Sequence, residues 1–282
     1  MSILISFSRT SVIFFGGYRI EISGELGLEL AINILSGANG SGKTTVAKCI
    51  AYALGHPYAP ISSIENSSVQ FQPAISSASV GFVYENPADN FHGGPVYDNL
   101  QVALANPRVD HDELQGRISE MLVDDLDLDP WLLIRRTNIL STGELQLVAL
   151  VLQAILNPKF LFLDEALSHL SRNNLRRAML FIEKHFRNTY LCLICHPDQI
   201  VGYLRKEVFR YSVEKRAQTI LITNPVEWDN EPAIVDADSA NFLDYATLSE
   251  ALKQTDNFNS LSTHSVFFFP QMVRAFQFQK RR

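Results

Sequence analysis

The eight residues Gly37-Ala38-Asn39-Gly40-Ser41-Gly42-Lys43-Thr44 meet the pattern G-x-x-x-x-G-K-[S/T] at every fixed position. An apolar run, Ala31-Ile32-Asn33-Ile34-Leu35, leads into them, and a helical stretch from Lys43 to Leu54 leads out. Strand, glycine-rich turn and helix together restrict the fold strongly. The glycines let backbone N–H groups turn inward onto phosphate oxygens, at the positive end of the helix that follows. The pattern assigns Gly37, Asn39, Gly40, Ser41, Gly42, Lys43, Thr44 and Thr45 to a nucleoside triphosphate such as ATP. Lys43 would bridge the β- and γ-phosphates, and the Thr44 hydroxyl would ligate Mg²⁺.

A loop of this kind needs a second acidic group for its metal, placed at the end of a neighbouring strand. Phe160-Leu161-Phe162-Leu163-Asp164-Glu165 supplies one. The four apolar residues read as a strand buried on both faces, with Asp164 at its C-terminal end, where ligands sit in open α/β sheets. Glu165, next to it, reads as the general base for an attacking water.

The surrounding pattern predicts an α/β fold with a mainly parallel core sheet. Strands are expected at Val80–Tyr84 and 190–195, helices at 142–156, 173–186 and near 198–205, and a hairpin at 209–223. The helix from Thr142 stops before Asn157-Pro158, and its apolar run is interrupted at Gln146 and Gln153. From Tyr97 to about Leu133 the spacing is helical, with Asp110 or Asp112 as N-cap. Before the phosphate loop, Ile3–Phe7, Ser11–Phe15 and Tyr18–Ile22 are rich in β-formers, and Gly16-Gly17 marks a hairpin.

Charge and composition narrow the function. The 282 residues carry 24 Lys+Arg against 30 Asp+Glu, a net charge of −6, which argues against a nucleic-acid partner. No stretch reaches the roughly 20 apolar residues of a spanning helix, and the first residues lack a signal-peptide pattern; the chain by itself reads as cytoplasmic. Cys192 and Cys195 form C-x-x-C, but on a strand residues three apart face opposite ways, so they read as small core residues.

Further along, Leu140-Ser141-Thr142-Gly143-Glu144 stands 23 residues before Asp164, Val80-Gly81-Phe82-Val83-Tyr84-Glu85 precedes the helical region, and Leu193-Ile194-Cys195-His196 ends a strand. In order and spacing these resemble the signature, glutamine loop and switch histidine of the ATPase subunits of ABC transporters. The segment Glu85-Asn86-Pro87-Ala88-Asp89-Asn90-Phe91, with Pro95–Leu100, is most similar to energy-coupling-factor-type importer ATPases.

The resemblance implies a P-loop NTPase cassette over residues 1–228 and a C-terminal extension over 229–282. Within the cassette it implies an N-terminal antiparallel β-subdomain and a helical insert, about 87–150, that carries the signature. It further implies ATP and Mg²⁺ as ligands, Lys43, Glu165 and His196 as catalytic residues, and Thr44, Asp164 and Glu85 around the metal. Ser141, Gly143 and Glu144 would contact the nucleotide of a second ABC ATPase subunit, paired head to tail. An integral membrane subunit would complete the transporter at the inner face of the cell membrane.

Several positions depart from the family pattern. Glu85 replaces Gln, Thr142 the first signature glycine, Glu144 the signature Gln, Ser171 an Asp, Leu147 an Arg, and Ala166-Leu167 a Pro-Thr pair. Arg9, Phe14, Phe15 and Tyr18 are candidates to stack on adenine. The departures cluster on the side facing a partner, which implies an asymmetric pair. Two other readings use the same motifs, a nucleotide-sensing regulatory half and a soluble ABC-type ATPase acting on DNA. Ser141 stands 98 positions after Lys43, and the interval holds no sustained heptads, which disfavours the second.

Overall fold

Three runs bury every one of their residues: β3 (Ile32–Ser36), β7 (Phe160–Asp164) and β8 (Tyr190–Ile194). A strand covered on both faces belongs inside a parallel sheet. In the computed structural model β8 lies between β3 and β7, all three parallel. β6 (Val80–Val83) adds to β7 and β9 (Val208–Arg216) adds to β3, also in parallel. The structure describes residues 2–15, 17–56, 61–65, 69–75, 77–102, 111–195, 200, 203 and 208–223. His196, Asp110, the 229–282 segment and nearly all of the expected 198–205 helix lie outside them.

The antiparallel strands are continuous with this core. β1 (Ser2–Phe14) and β2 (Arg19–Glu29) form a hairpin, and β4 (Ile61–Glu65) and β5 (Gln70–Gln72) both pair with β1. β10 (Thr219–Thr223) runs parallel to β2 and antiparallel to β9. It joins the two halves in the order β4-β1-β2-β10-β9-β3-β8-β7-β6. The two strands expected at Ile3–Phe7 and Ser11–Phe15 are one. A register shift between Phe7 and Thr10, with Arg9 at φ 52°, absorbs the irregularity as a bulge.

Helices α1 (Lys43–Ala53), α4 (Thr142–Leu156) and α5 (Arg172–His185) pack around the sheet. α4 starts on a capping box, since Ser141 Oγ accepts from Glu144 N (3.2 Å) and Glu144 Oε2 accepts from Ser141 N (2.8 Å). It ends at Asn157, whose φ of 47° is left-handed, just before Pro158. The insert is more broken than its periodicity predicts. α2 (Val96–Val102) and α3 (His111–Ser119) are separate, α3 continues as a π-helical turn (Glu120–Asp125), and Pro130–Ile134 is a short 3₁₀ turn. Asp112 lies within the α3 span.

Glu120, Asp125 and Asp127 of the insert all meet basic residues of α5, and Asp125 is the least exposed of the three. Asp125 Oδ1 accepts from Lys184 Nζ at 2.8 Å, and Asp125 Oδ2 lies 2.7 Å from His185 Nε2. Burial pushes the Asp125 carboxyl up, but the Lys184 and His185 hydrogen bonds and charges outweigh it and hold the group below the usual carboxylate range. A depressed folded pKa adds stability that is present above the unfolded value and fades as pH falls through the folded one. Asp125→Asn is therefore expected to lower unfolding stability by about 1–3 kcal/mol near neutral pH. In urea titrations the gap from wild type should close as pH drops through the acidic range.

Candidate functional site

The phosphate loop leaves β3 at Ser36 and enters α1 at Lys43. Two of its glycines are sterically required. A Cβ at Gly37 would sit 2.2 Å from the Val213 carbonyl oxygen, and Gly42 adopts φ +101°, a left-handed value that L side chains resist. Among the described residues no side chain caps the α1 N-terminus, and no acidic residue stands in its first turn. Its N–H groups and positive dipole end thus face a ligand site. Ser41 Oγ is buried with no hydrogen-bond partner among the described residues. Lys43, 5% exposed, folds back over the loop and donates to Gly37 O (3.0 Å) and Ala38 O (3.1 Å). An ammonium has three protons, so a third remains for an anion.

These groups open onto a cleft of about 360 Å³ lined by Asn39, Gly40, Gly42, Lys43, Thr44, Thr45, Glu85 and Glu165. β7 delivers the acidic pair. Thr44 Oγ1 donates to Asp164 Oδ1 at 2.8 Å, joining the start of α1 to the end of β7 across 120 residues of sequence. Burial raises the Asp164 carboxyl above its usual range; Glu165 and Glu85 add to this, while the Thr44 hydrogen bond and Lys48 oppose it. Glu165 follows in a left-handed conformation, φ 49°, with its N–H donating to Ile194 O at 2.8 Å. A non-glycine residue there is strained, a feature that concentrates at functional sites.

Among the described residues no group of three or more His, Cys, Asp or Glu could hold a metal by itself. The Thr44 hydroxyl and Asp164 carboxylate fit Mg²⁺, which is usually bound by one or two protein oxygens together with substrate phosphates. The unpartnered Ser41 hydroxyl and the uncapped helix end fit the phosphates.

The remaining expected residues fall in three places. Ser141, Gly143 and Glu144 are outside the cleft at the start of α4, and Ser141 Oγ donates to Glu144 Oε2 at 2.7 Å. The Ser141 hydroxyl first, then its N–H, holds the Glu144 carboxyl below its usual range. His196 lies outside the described residues. None of Arg9, Phe14, Phe15 or Tyr18 lines the cleft; Phe15 and Tyr18 are exposed, and Tyr18 meets Lys215 Nζ at 3.3 Å.

Some departures from the family pattern have a structural account. Ser171 caps α5, accepting from Asn174 N at 3.3 Å, and Leu147, Ala166 and Leu167 are buried in the core. Cys49, Cys192 and Cys195 are buried free thiols, and burial pushes Cys49 up to about 12. No motif marks Lys48, whose charge reaches Asp164, or Gln146, whose amide reaches the Tyr84 and Glu85 carbonyls.

Comparison with known proteins places this geometry. A family model described as ABC transporter matches residues 29–168. The energy-coupling factor transporter ATP-binding protein EcfA1 of Staphylococcus aureus (strain bovine RF122 / ET3-1) is 34% identical over 152 residues, 49% of this chain and 52% of the relative. The putative ABC transporter ATP-binding protein BQ02700 of Bartonella quintana (strain Toulouse) is 30% identical over 148 residues, 52% of this chain and 64% of the relative. The chain thus spans about half the length of the first of these relatives and under two thirds of the second.

Among solved structures, CbiO1 from Clostridium perfringens, part of the ABC transporter complex CbiONQ, aligns with TM-score 0.55 at 18% identity over 79% of this chain and 88% of that one. A putative metal-chelate type ABC transporter in an inward-facing conformation aligns with TM-score 0.53 at 17% identity, over 79% and 83%. At these identities the likeness is one of fold. With the phosphate loop, the acidic pair and the α/β core in place around it, the segment 29–168, just under half of the chain, is similar to the ABC transporter family.

Proposed function

We propose that the chain binds MgATP in the cleft and hydrolyses it, as one ATPase subunit of an energy-coupling-factor-type importer of a vitamin or metal ion. The observation that carries this is the Thr44–Asp164 hydrogen bond at the foot of an uncapped phosphate loop, with Glu85 and Glu165 on the same cleft. Gly37 to Thr45 and the third Lys43 proton hold the phosphates. Thr44 and Asp164, with Glu85 beside them, hold Mg²⁺, which neutralises phosphate charge when bound. Glu165 takes the proton from the attacking water, and His196 steadies the γ-phosphate. Most of the rate comes from positioning and charge stabilisation.

The names of the EcfA1 relatives support the importer reading, and the CbiONQ complex supports a membrane partner. No helix of the described residues is long and apolar enough to cross a membrane, so in this reading another subunit forms the pore and the cassette sits on its cytoplasmic side. Phosphate release by the purified chain, with and without a sibling cassette and with and without Mg²⁺, tests the reading. Turnover that needs Mg²⁺ and rises with the partner is expected; none under any condition would refute it.

The pair is asymmetric in this proposal. Ser141 spends its hydroxyl proton on Glu144, whose carboxylate also places negative charge where a partner's γ-phosphate would approach. Like charges brought together at an interface cost affinity. Glu144→Gln is therefore expected to tighten ATP binding at the site this signature closes by about tenfold. Nucleotide-induced pairing followed by light scattering measures this; an unchanged ATP dependence would count against the carboxylate's role.

A further inference from the structure

Gln146 and Gln153 stand two turns apart on α4, 1% and 5% exposed. Both side chains reach the β6 region. Gln153 Nε2 donates to Phe82 O at 3.0 Å, and Gln146 Nε2 donates to Tyr84 O at 3.2 Å and Glu85 O at 3.3 Å. The other end of each amide, Oε1, is buried without a hydrogen-bond partner among the described residues. A half-satisfied buried amide is costly compared with an apolar side chain of similar volume, so the two donors must return something at each position.

At Gln153 the return is attachment of helix to sheet. At Gln146 it differs, because the carbonyls held belong to the peptides on either side of the point where Glu85 enters the cleft. α4 is one helix with the signature residues at its capped N-terminus and Gln146 on its buried face. A displacement of the signature end would therefore reach the Glu85 backbone through the one helix.

We propose that Gln146 is a positioning residue that couples the placement of the signature helix to Glu85, and through Glu85 to the Mg²⁺ and γ-phosphate region. This rests on the reading that the cleft holds MgATP. Tyr84 shares the link, since its N–H donates to Asn90 Oδ1 at 3.2 Å and so fixes the other side of the same turn. With both anchors in place, Glu85 follows α4 and does not swing with the loop.

The test uses the full chain and Gln146→Met and Gln153→Met, each alone and combined with Glu85→Gln. Methionine keeps the volume and removes the donors. Binding of a slowly hydrolysed ATP analogue is measured across a Mg²⁺ titration, with the thermal midpoint recorded for each variant. Both methionine variants should melt lower than wild type. Only Gln146→Met should raise the half-saturating Mg²⁺ concentration, by about tenfold, and that difference should vanish in the Glu85→Gln background. Gln146→Asn, which keeps a donor on a shorter arm, should shift Mg²⁺ dependence in the same direction and serves if the methionine variant does not fold.

Equal Mg²⁺ curves for the Gln146 and Gln153 variants, or a Gln146 shift that persists with Glu85→Gln, would overturn the proposal alone. Failure of the wild type to bind the analogue at any Mg²⁺ concentration would remove the functional reading and this proposal with it.

Discussion

Glu165→Gln is expected to lower ATP turnover by about 10²–10⁴-fold while leaving MgATP affinity within about threefold of wild type. The substitution preserves size and removes only the ability to accept a proton. The fold holds the residue against a conformational cost: its φ is 49°, and its N–H is committed to Ile194 O at 2.8 Å. This fixes the backbone from which the side chain enters the cleft. Because Asp164 is left intact, the metal side of the site should be undisturbed. Phosphate release and analogue binding on the same preparations separate the two effects. In a mixed pair the comparison extends further. Changing the partner's corresponding glutamate should cost much less, since that site closes on the Ser141–Glu144 signature. Equal losses would remove the asymmetric arrangement, and wild-type turnover by Glu165→Gln would remove Glu165 as the base.

Parts of this site could be read before any coordinates because local chemistry dictates them. Asp164 follows four residues buried on both faces, so a strand end was the natural place for it. Asn157-Pro158 likewise marks the end of α4 to the residue. Long-range pairings carry no such local mark. Nothing around Thr219–Thr223 says that this strand enters between β2 and β9 and joins the antiparallel and parallel parts. The bulge at Arg9 and the left-handed Glu165 place non-glycine residues where glycine or asparagine would have given a warning. Asp125 meets Lys184 and His185 only through tertiary packing. Gln146 and Gln153 were visible as polar interruptions of an apolar helix. Which carbonyls they would meet depends on the crossing of α4 over β6, which periodicity does not encode.

Asp164→Asn should abolish Mg²⁺-dependent turnover, by about 10³-fold or more, and should also make the nucleotide-free cassette more stable by about 0.5–2 kcal/mol. The stability gain has a direct origin. Asp164 is 8% exposed, burial raises its carboxyl, and the Glu165 and Glu85 charges raise it further. A group whose folded pKa lies above its unfolded value favours the fold below the unfolded pKa, and that advantage is lost as pH rises through the folded value. Wild type should therefore lose stability relative to the asparagine variant over that rise, and the gap should then stay level at higher pH. Asparagine still offers Oδ1 to the Thr44 hydroxyl, so the 2.8 Å link can persist without the charge. What it lacks is the anionic oxygen for Mg²⁺, so added Mg²⁺ and ATP should raise the thermal midpoint of wild type and leave the variant nearly unmoved. Paired melting curves, with and without MgATP and across pH, measure all of this. A variant that melts below wild type at neutral pH without nucleotide would show that Asp164 is structural first. A variant stabilised by MgATP as strongly as wild type would show that the metal is held elsewhere.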